Sequence, residues 1–317
     1  MRFVLVGGSG FVGQYAFRAL RDAYPQCEIL VLDKVNNFLG DAHPYIELDL
    51  TKDIDFQFRS TDIVIHLAAR QYHPKPPKKD RDEYFFELNF YGTKRLIEKM
   101  AQDGCHRMIY FSTDMVYGIP KHIPLTESHP THPFGPYGRS KLASEELLQQ
   151  YWKEGFKITI FRPRMIVGKG RFGLLTKLFW LIDHHLPVPM IGNGKNCYQM
   201  VSVEDCATAI VCAIKSEIPN VCCNLGSKNP PSVKELLSDL IAYVGSRSIL
   251  IPTWGDGIKV ILKTLGAVGV ELMFEEQYQI ADQEYIVDLE GTYKSIGWSP
   301  RFSDEEMLRL AYAEYRS

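Results

Sequence analysis

The chain opens on a short β-branched run, Phe3–Val6, that passes directly into Gly7-Gly8-Ser9-Gly10-Phe11-Val12-Gly13 and then into an amphipathic helical pattern. A strand can become a helix within so few residues only where side chains are missing. The same gaps let backbone N–H groups at the positive end of the helix meet a diphosphate. Two glycine patterns fit: Gly8-x-Gly10-x-x-Gly13, the dinucleotide fingerprint, and a close variant, Gly7-x-x-Gly10-x-x-Gly13. Either one places Gly7, Gly10, Phe11, Val12 and Gly13 at the phosphates. A second run, Ile29-Leu30-Val31-Leu32, ends at Asp33. That is about 20 residues past the glycines, the spacing at which an acidic residue accepts the adenosine ribose diol. A carboxylate there repels a 2′-phosphate, so the expected cofactor is NAD rather than NADP. The competing reading makes Asp33 a turn or helix-capping residue, with Lys34 softening the discrimination.

The rest of the first half repeats the alternation. Strand candidates are Phe3–Val6, Glu28–Leu32, Ile63–Leu67, Met108–Ser112 and Ile158–Phe161, and helical patterns cover Gly13–Asp22, Phe85–Gln102 and Tyr137–Gly155. Strand and helix in turn predict an α/β fold with a doubly wound parallel sheet of Rossmann type. After Val167, glycines and prolines break the rhythm around a helix at Leu174–His184, with later helices near Val233–Val244 and Gly257–Met273. The expected division is a dinucleotide domain over 1–167, with elements of 201–226 returning to it, and a smaller substrate-binding lobe over 168–317.

Composition excludes several alternatives. With 36 Lys+Arg against 38 Asp+Glu and a net charge of -2, no overall positive field recruits nucleic acid. The 7 cysteines are scattered with no Cys-x-x-Cys pair, which reads as reduced cytosolic thiols rather than a metal site. The N-terminus leaves no room for a signal peptide, and the apolar stretch Ile258–Met273 is broken by Lys259, Lys263 and Glu271. It is shorter than the ~20 residues a bilayer span needs. A cytoplasmic protein without a membrane span is therefore expected. That stretch reads as core or dimer packing, or as a contact for an apolar substrate.

The chemistry sits further on. Met108–Ser112 leads into Thr113-Asp114-Met115-Val116-Tyr117-Gly118, and Tyr137 and Lys141 follow one helical turn apart. An ordinary tyrosine, with a pKa near 10, is too weak a base at neutral pH; a neighbouring ammonium and an oxidised nicotinamide would favour its phenolate. An isolated Tyr-x-x-x-Lys is equally an exposed helix face, and its order behind the glycine turn and Asp33 is what favours catalysis.

Taken together, the motifs resemble those of extended short-chain dehydrogenases/reductases of the NAD-dependent epimerase/dehydratase family. The likeness covers the glycine turn, Asp33, Asp49-Leu50, His66-Leu67-Ala68-Ala69, Asn89-x-x-Gly92-Thr93, Ser112-Thr113, Tyr137-x-x-x-Lys141, Arg162-Pro163, Val203-x-Asp205, Asn224-Leu225-Gly226 and Gly297-Trp298-x-Pro300. The resemblance implies that Thr113 bonds the reacting hydroxyl, Tyr137 exchanges its proton, and Lys141 holds the nicotinamide ribose. It implies that Asp49, Leu50, Leu67, Ala68, Ala69, Asn89, Ser112, Arg162 and Pro163 line the cofactor groove, with His66 structural. Pairing into a homodimer is likewise implied.

Three departures narrow the reaction. The family's 4,6-dehydratases follow the threonine with Asp and Glu as acid and base; here Asp114 is followed by Met115, and a thioether abstracts no proton. Met165 stands where many members carry an asparagine on the substrate diphosphate, and Tyr198 where UDP-sugar binders often carry an arginine. Arg164, Arg171, Lys195 and Lys294 are the candidate replacement cations, each with a solvated-surface alternative. Asp114, Met115, Arg164, Arg171, Tyr198 and Lys294 are thus expected at the substrate. The expected activity is epimerisation of a nucleotide sugar at C4 through a keto intermediate. The alternative is net oxidation or reduction of a keto sugar or hydroxysteroid-like alcohol.

Overall fold

In a computed structural model, which describes residues 1–37, 43–72, 76–173, 175–267 and 273–317, the first half runs β1 (Arg2–Val6), α1 (Phe11–Ala23), β2 (Glu28–Asp33), β3 (Tyr45–Glu47), β4 (Asp62–His66), α2 (Arg81–Phe86), α3 (Thr93–Gln102), β5 (Arg107–Phe111), α4 (Pro136–Trp152) and β6 (Lys157–Pro163). The second half adds β7 (Met165–Val167), α5 (Leu175–Asp183), β8 (Val188–Met190), β9 (Met200–Ser202), α6 (Val203–Lys215), β10 (Val221–Leu225), α7 (Val233–Val244), β11 (Leu250–Pro252), α8 (Gly255–Ala267), α9 (Glu275–Tyr278), α10 (Glu290–Ile296) and α11 (Asp304–Tyr315). Of the expected helix Gly257–Met273, residues 268–272 lie outside the described part, as does Leu174 of the other.

Seven strands form one parallel sheet in the order β10-β6-β5-β4-β1-β2-β3. The doubly wound sheet is therefore present, and β10 returns to it as an edge strand. Parallel strands covered on both faces must be apolar on both, and β1 shows it: Phe3 and Leu5 face one cluster with α1 and α6, while Val4 and Val6 face another with α3. The chain reverses its direction of winding between β1 and β4. The carboxyl ends of those two strands form the crevice where open α/β sheets take their ligands.

In the first half of the chain sequence periodicity misses two features. β3 is only three residues long, too short to carry an alternation. The expected single helix Phe85–Gln102 is instead α2 and α3 joined by a π-helical turn, Glu87–Gly92. Within that turn the Asn89 carbonyl accepts from both Thr93 Oγ1 (2.6 Å) and Ser144 Oγ (2.7 Å), which widens the helix locally.

A separate apolar cluster joins α5, α7 and α11 around Phe179, Ile182, Leu240 and Met307. The C-terminal segment also feeds the first cluster, because Ile296 and Trp298 pack with α6 and β10. Trp298 donates from Nε1 to the Asp205 carbonyl (3.0 Å) and Thr208 Oγ1 (3.1 Å). Among the described residues no helix is long and apolar enough to cross a membrane. Because Trp298 is 2% exposed and has a satisfied polar handle, Trp298→Ala should cost about 3–5 kcal/mol in urea unfolding. A loss below about 1 kcal/mol would show that this segment is not part of the sheet's core.

Candidate active site

At the candidate dinucleotide end three of the glycines are required by packing, Gly8 because a Cβ there would fall 2.8 Å from Leu5 Cβ. A Cβ on Gly7, which has φ +81°, would sit 2.4 Å from the Ala68 nitrogen, and one on Gly13 would sit 2.3 Å from the Gly8 carbonyl oxygen. Gly10 differs: it is exposed, and a Cβ there would approach only the Gly7 carbonyl, at 3.2 Å. It is also the N-cap of α1 and offers no capping side chain, which leaves the first amides of the helix available to an anion. Ser9 Nα donates to Asp33 Oδ2 (3.0 Å) and Lys34 Nα to Oδ1 (2.8 Å), so Asp33 ties β2 to the glycine turn. Burial raises its carboxyl despite those bonds. The Ser9 and Ser112 hydroxyls are buried without a partner among the described residues, and Leu67 and Ala68 both donate from their backbone to the Val6 carbonyl. An exposed uncapped helix start, a carboxylate with spare lone pairs and two orphaned hydroxyls fit a dinucleotide.

The reacting end is assembled by α4. A Cβ on Gly138 would lie 2.8 Å from the Met115 carbonyl. The first turn of α4 is thereby pressed onto the turn that begins at Thr113, bringing Thr113 to the Tyr137 phenol. Tyr137 is buried among Tyr72, Phe85, Met115 and Phe274. Burial pushes its phenol up to about 12; Asp114 adds to the rise, while Arg171 and hydrogen bonds from Thr113 and Gln71 oppose it. Lys141 is equally buried. Its ammonium donates to the Phe111 carbonyl and lies 4.2 Å over the Tyr110 ring, and desolvation brings its pKa down to about 7. Arg171 is the cation that most lowers the phenol in this arrangement.

Several expected ligand contacts are engaged inside the protein. Asp49 bonds Lys34 (2.9 Å) and both donors of Thr51, which holds its carboxyl down at about 2. Arg162 is committed to Glu145 (2.6 Å), the Tyr117 hydroxyl and the Glu127 carbonyl, and Pro163 is buried at the end of β6. Asn89 clamps the Arg70 backbone from both ends of its amide and donates to Ser140. His66 is fully buried: Nε2 meets Thr93 Oγ1 (2.9 Å), and burial keeps the ring neutral with a pKa of about 3. Leu50 is buried in the core under the sheet.

The substrate candidates separate in the same way. Arg164 is not a surface cation: it is buried, donates to Asp114, and is sandwiched by the rings of Tyr198 (4.7 Å) and Tyr285 (4.1 Å). Lys294 is exposed on α10 and paired with Glu290, outside the group. Arg171 and Met115 are at Tyr137. Sequence reasoning missed Gln71, Tyr72, Phe274, Tyr285 and Glu276, which come from loops or distant segments without any motif. It also missed Glu145, which was legible as the next residue on the Tyr137, Lys141 face of α4.

Residues 3–226 match the model of the NAD dependent epimerase/dehydratase family. Over 99% of its length the chain is 26% identical to a dTDP-D-glucose 4,6-dehydratase of Mus musculus, covering 88% of that protein. Over 69% it is 31% identical to the N-acetyl-alpha-D-glucosaminyl-diphospho-ditrans,octacis-undecaprenol 4-epimerase of Escherichia coli O157:H7, covering 63% of it. A UDP-glucose 4-epimerase of Thermotoga maritima, solved with UDP-glucose, superposes with a TM-score of 0.76 at 21% identity, over 100% of this chain and 99% of that one. At that identity the likeness is one of fold.

Lys141 gives a pH-dependent stability. The native state releases its proton near pH 7, while the unfolded chain keeps it to about 10.5. Between those values the unfolded state binds more protons, so native stability rises with pH, by at most about 1.4 kcal/mol per unit. Lys141→Met lacks this term. The wild-type stability in urea, relative to the variant's, should therefore climb from pH 7 toward 10; a difference flat in pH would mean that the ammonium is not desolvated.

Proposed function

The chain belongs to the NAD-dependent epimerase/dehydratase family, and from that premise we propose that it epimerises the hexose of a nucleotide sugar at C4 through a transient ketone. The supporting observation is what surrounds Thr113. A dehydratase of the design described above needs an acid and a base beside the threonine. Here Met115 brings a thioether, and the Asp114 carboxylate is held by Arg164 between two tyrosine rings. What remains is Thr113, Tyr137 and Lys141, enough for reversible oxidation of a carbinol but not for eliminating water.

The family's cofactor is NAD; bound, it supplies a two-electron acceptor that returns what it takes and, when oxidised, a positive charge beside the phenol. Thr113 Oγ1 orients the substrate hydroxyl, and Tyr137 Oη takes its proton and, once the ketone has turned over, returns it to the carbonyl oxygen. Burial pushes the phenol up to about 12 and so disfavours its phenolate, which means that it takes the substrate's proton only when a cation is close. Arg171, half-buried at Tyr137, is the guanidinium offered to a substrate diphosphate. The aromatic wall of Tyr72, Phe85 and Phe274 favours a second reading, net oxidation or reduction of a less polar alcohol.

Purified protein offered UDP-, dTDP- and GDP-hexoses and a polyprenyl-diphospho sugar should interconvert one C4 pair without net change in NADH absorbance. Steady NADH formation or consumption would favour the oxidoreductase, and a 4-keto-6-deoxy product would overturn the exclusion of elimination. Tyr137→Phe should lower turnover by at least about 100-fold while leaving NAD affinity within twofold. Activity equal to wild type would remove Tyr137 from the proton-transfer role.

A further inference from the structure

The helix that carries Tyr137 and Lys141 begins without a cap of its own. Its N-cap is Gly135, which has no side chain, and Pro136 follows, so the amides of Tyr137 and Gly138 are the first donors of α4 without an intrahelical acceptor. Three other helices meet this need locally: Ser202 caps α6, Ser232 caps α7 and Ser303 caps α11.

At Gly135 the place of the cap is taken by a distant residue. A Cβ built there would lie 1.4 Å from Glu276 Oε1. The carboxyl group, brought by α9, therefore occupies the volume that a serine or aspartate side chain would fill. Glu276 is 4% exposed. The amides of Tyr137 and Gly138 face it, short of full hydrogen-bond geometry, and no other donor reaches either oxygen among the described residues. Burial raises the carboxyl to about 8, so at neutral pH it offers a carbonyl oxygen rather than a full charge.

The same segment reaches the phenol from a second side. Phe274 stacks on Tyr72 with ring centroids 4.4 Å apart, and Tyr72 meets the Tyr137 ring at 5.7 Å. Glu276 also lines a small cavity with Met115, Phe134 and Tyr285.

We propose that Glu276 is a positioning residue: it caps, from the C-terminal lobe, the helix that carries Tyr137 and Lys141, and so makes the placement of the phenol depend on the docking of residues 273–280. The proposal rests on Tyr137 being the proton-transfer residue of the reaction above. A misplacement of about 1 Å at a reacting group costs on the order of 100-fold in rate, so a frayed first turn is enough to matter.

The test compares wild type with Glu276→Ala, Glu276→Gln and the double variant Gly135→Ser/Glu276→Ala. Gly135 has φ -109° and ψ 164°, which a capping serine adopts without strain. Glu276→Ala should lower kcat about tenfold with KM within twofold, and should speed hydrogen exchange at the amides of Tyr137 and Gly138. Glu276→Gln, which keeps an acceptor oxygen, should stay within about threefold of wild type. The serine double variant should recover both kcat and amide protection. Wild-type kcat or wild-type exchange in Glu276→Ala, a glutamine as damaging as alanine, or a serine that fails to rescue kcat would each overturn the proposal. The exchange measurement needs no substrate. If the wild type turned over none of the sugars, the functional reading would fail while exchange still decided the cap.

Discussion

The close approach of backbone to backbone at the end of β1 is the constraint on which the rest of the molecule depends. Gly7 lies against Ala68, at the end of β4, and Gly13 lies against the Gly8 carbonyl. No side chain fits at either point, and without both contacts α1 could not pack beside the crevice between β1 and β4. The Asp33 carboxylate then bonds the Ser9 amide, so that β2 holds the same turn from the other side. As the proposed phosphate site, this turn consists of main chain held by main chain. That makes it rigid before any ligand arrives, and rigidity is what turns backbone dipoles into binding energy.

A second layer of order comes from charges kept inside. Arg162 with Glu145 and Arg164 with Asp114 are both buried pairs, and each is fixed by further contacts: Tyr117 and the Glu127 carbonyl for the first, Tyr198 and Tyr285 for the second. Such pairs contribute little net stability, because desolvation offsets most of their attraction. Their value here is directional. Arg162 and Glu145 lock α4 to β6, whereas Arg164 holds Asp114 and, through it, the turn that presents Thr113. Lys141 is the unpaired case, its ammonium resting on the Phe111 carbonyl and the Tyr110 ring. A desolvated cation at this place is unfavourable for folding and useful for chemistry, a usual trade at reacting sites.

The glycine turn, Asp33 and the Tyr137, Lys141 pair were readable in the sequence because each is local: the residues that cooperate lie within one turn or at the end of one strand. The sheet was readable for the same reason, with β3 too short to show a period. What the sequence could not show is partnership across the chain. Arg164 and Lys294 look alike as lone cations in a list of residues, yet one is sandwiched between two tyrosines and the other stays on the surface with Glu290. The bonds of Asp49 to Lys34 and Thr51 are likewise seen only in the structure. Glu276 carries no motif at all, because its meaning depends on a glycine far away that leaves it room.

The starts of α1 and α4 make that last point general. Both helices begin at a glycine with no side chain to cap the first amides, Gly10 in one and Gly135 in the other. From sequence the two are equivalent invitations to an anion. Their surroundings differ. Gly10 is exposed, with little beyond its own turn nearby, so its amides remain free for a diphosphate. Gly135 is covered by the Glu276 carboxyl, which leaves no room for a ligand and sets α9 against the helix instead. On the reading proposed above, one uncapped end recognises the cofactor, and the other lets a remote segment set the position of the residue that must meet it. Both uses follow from the absence of the same Cβ atom, and only the packing around it decides which of them the protein has.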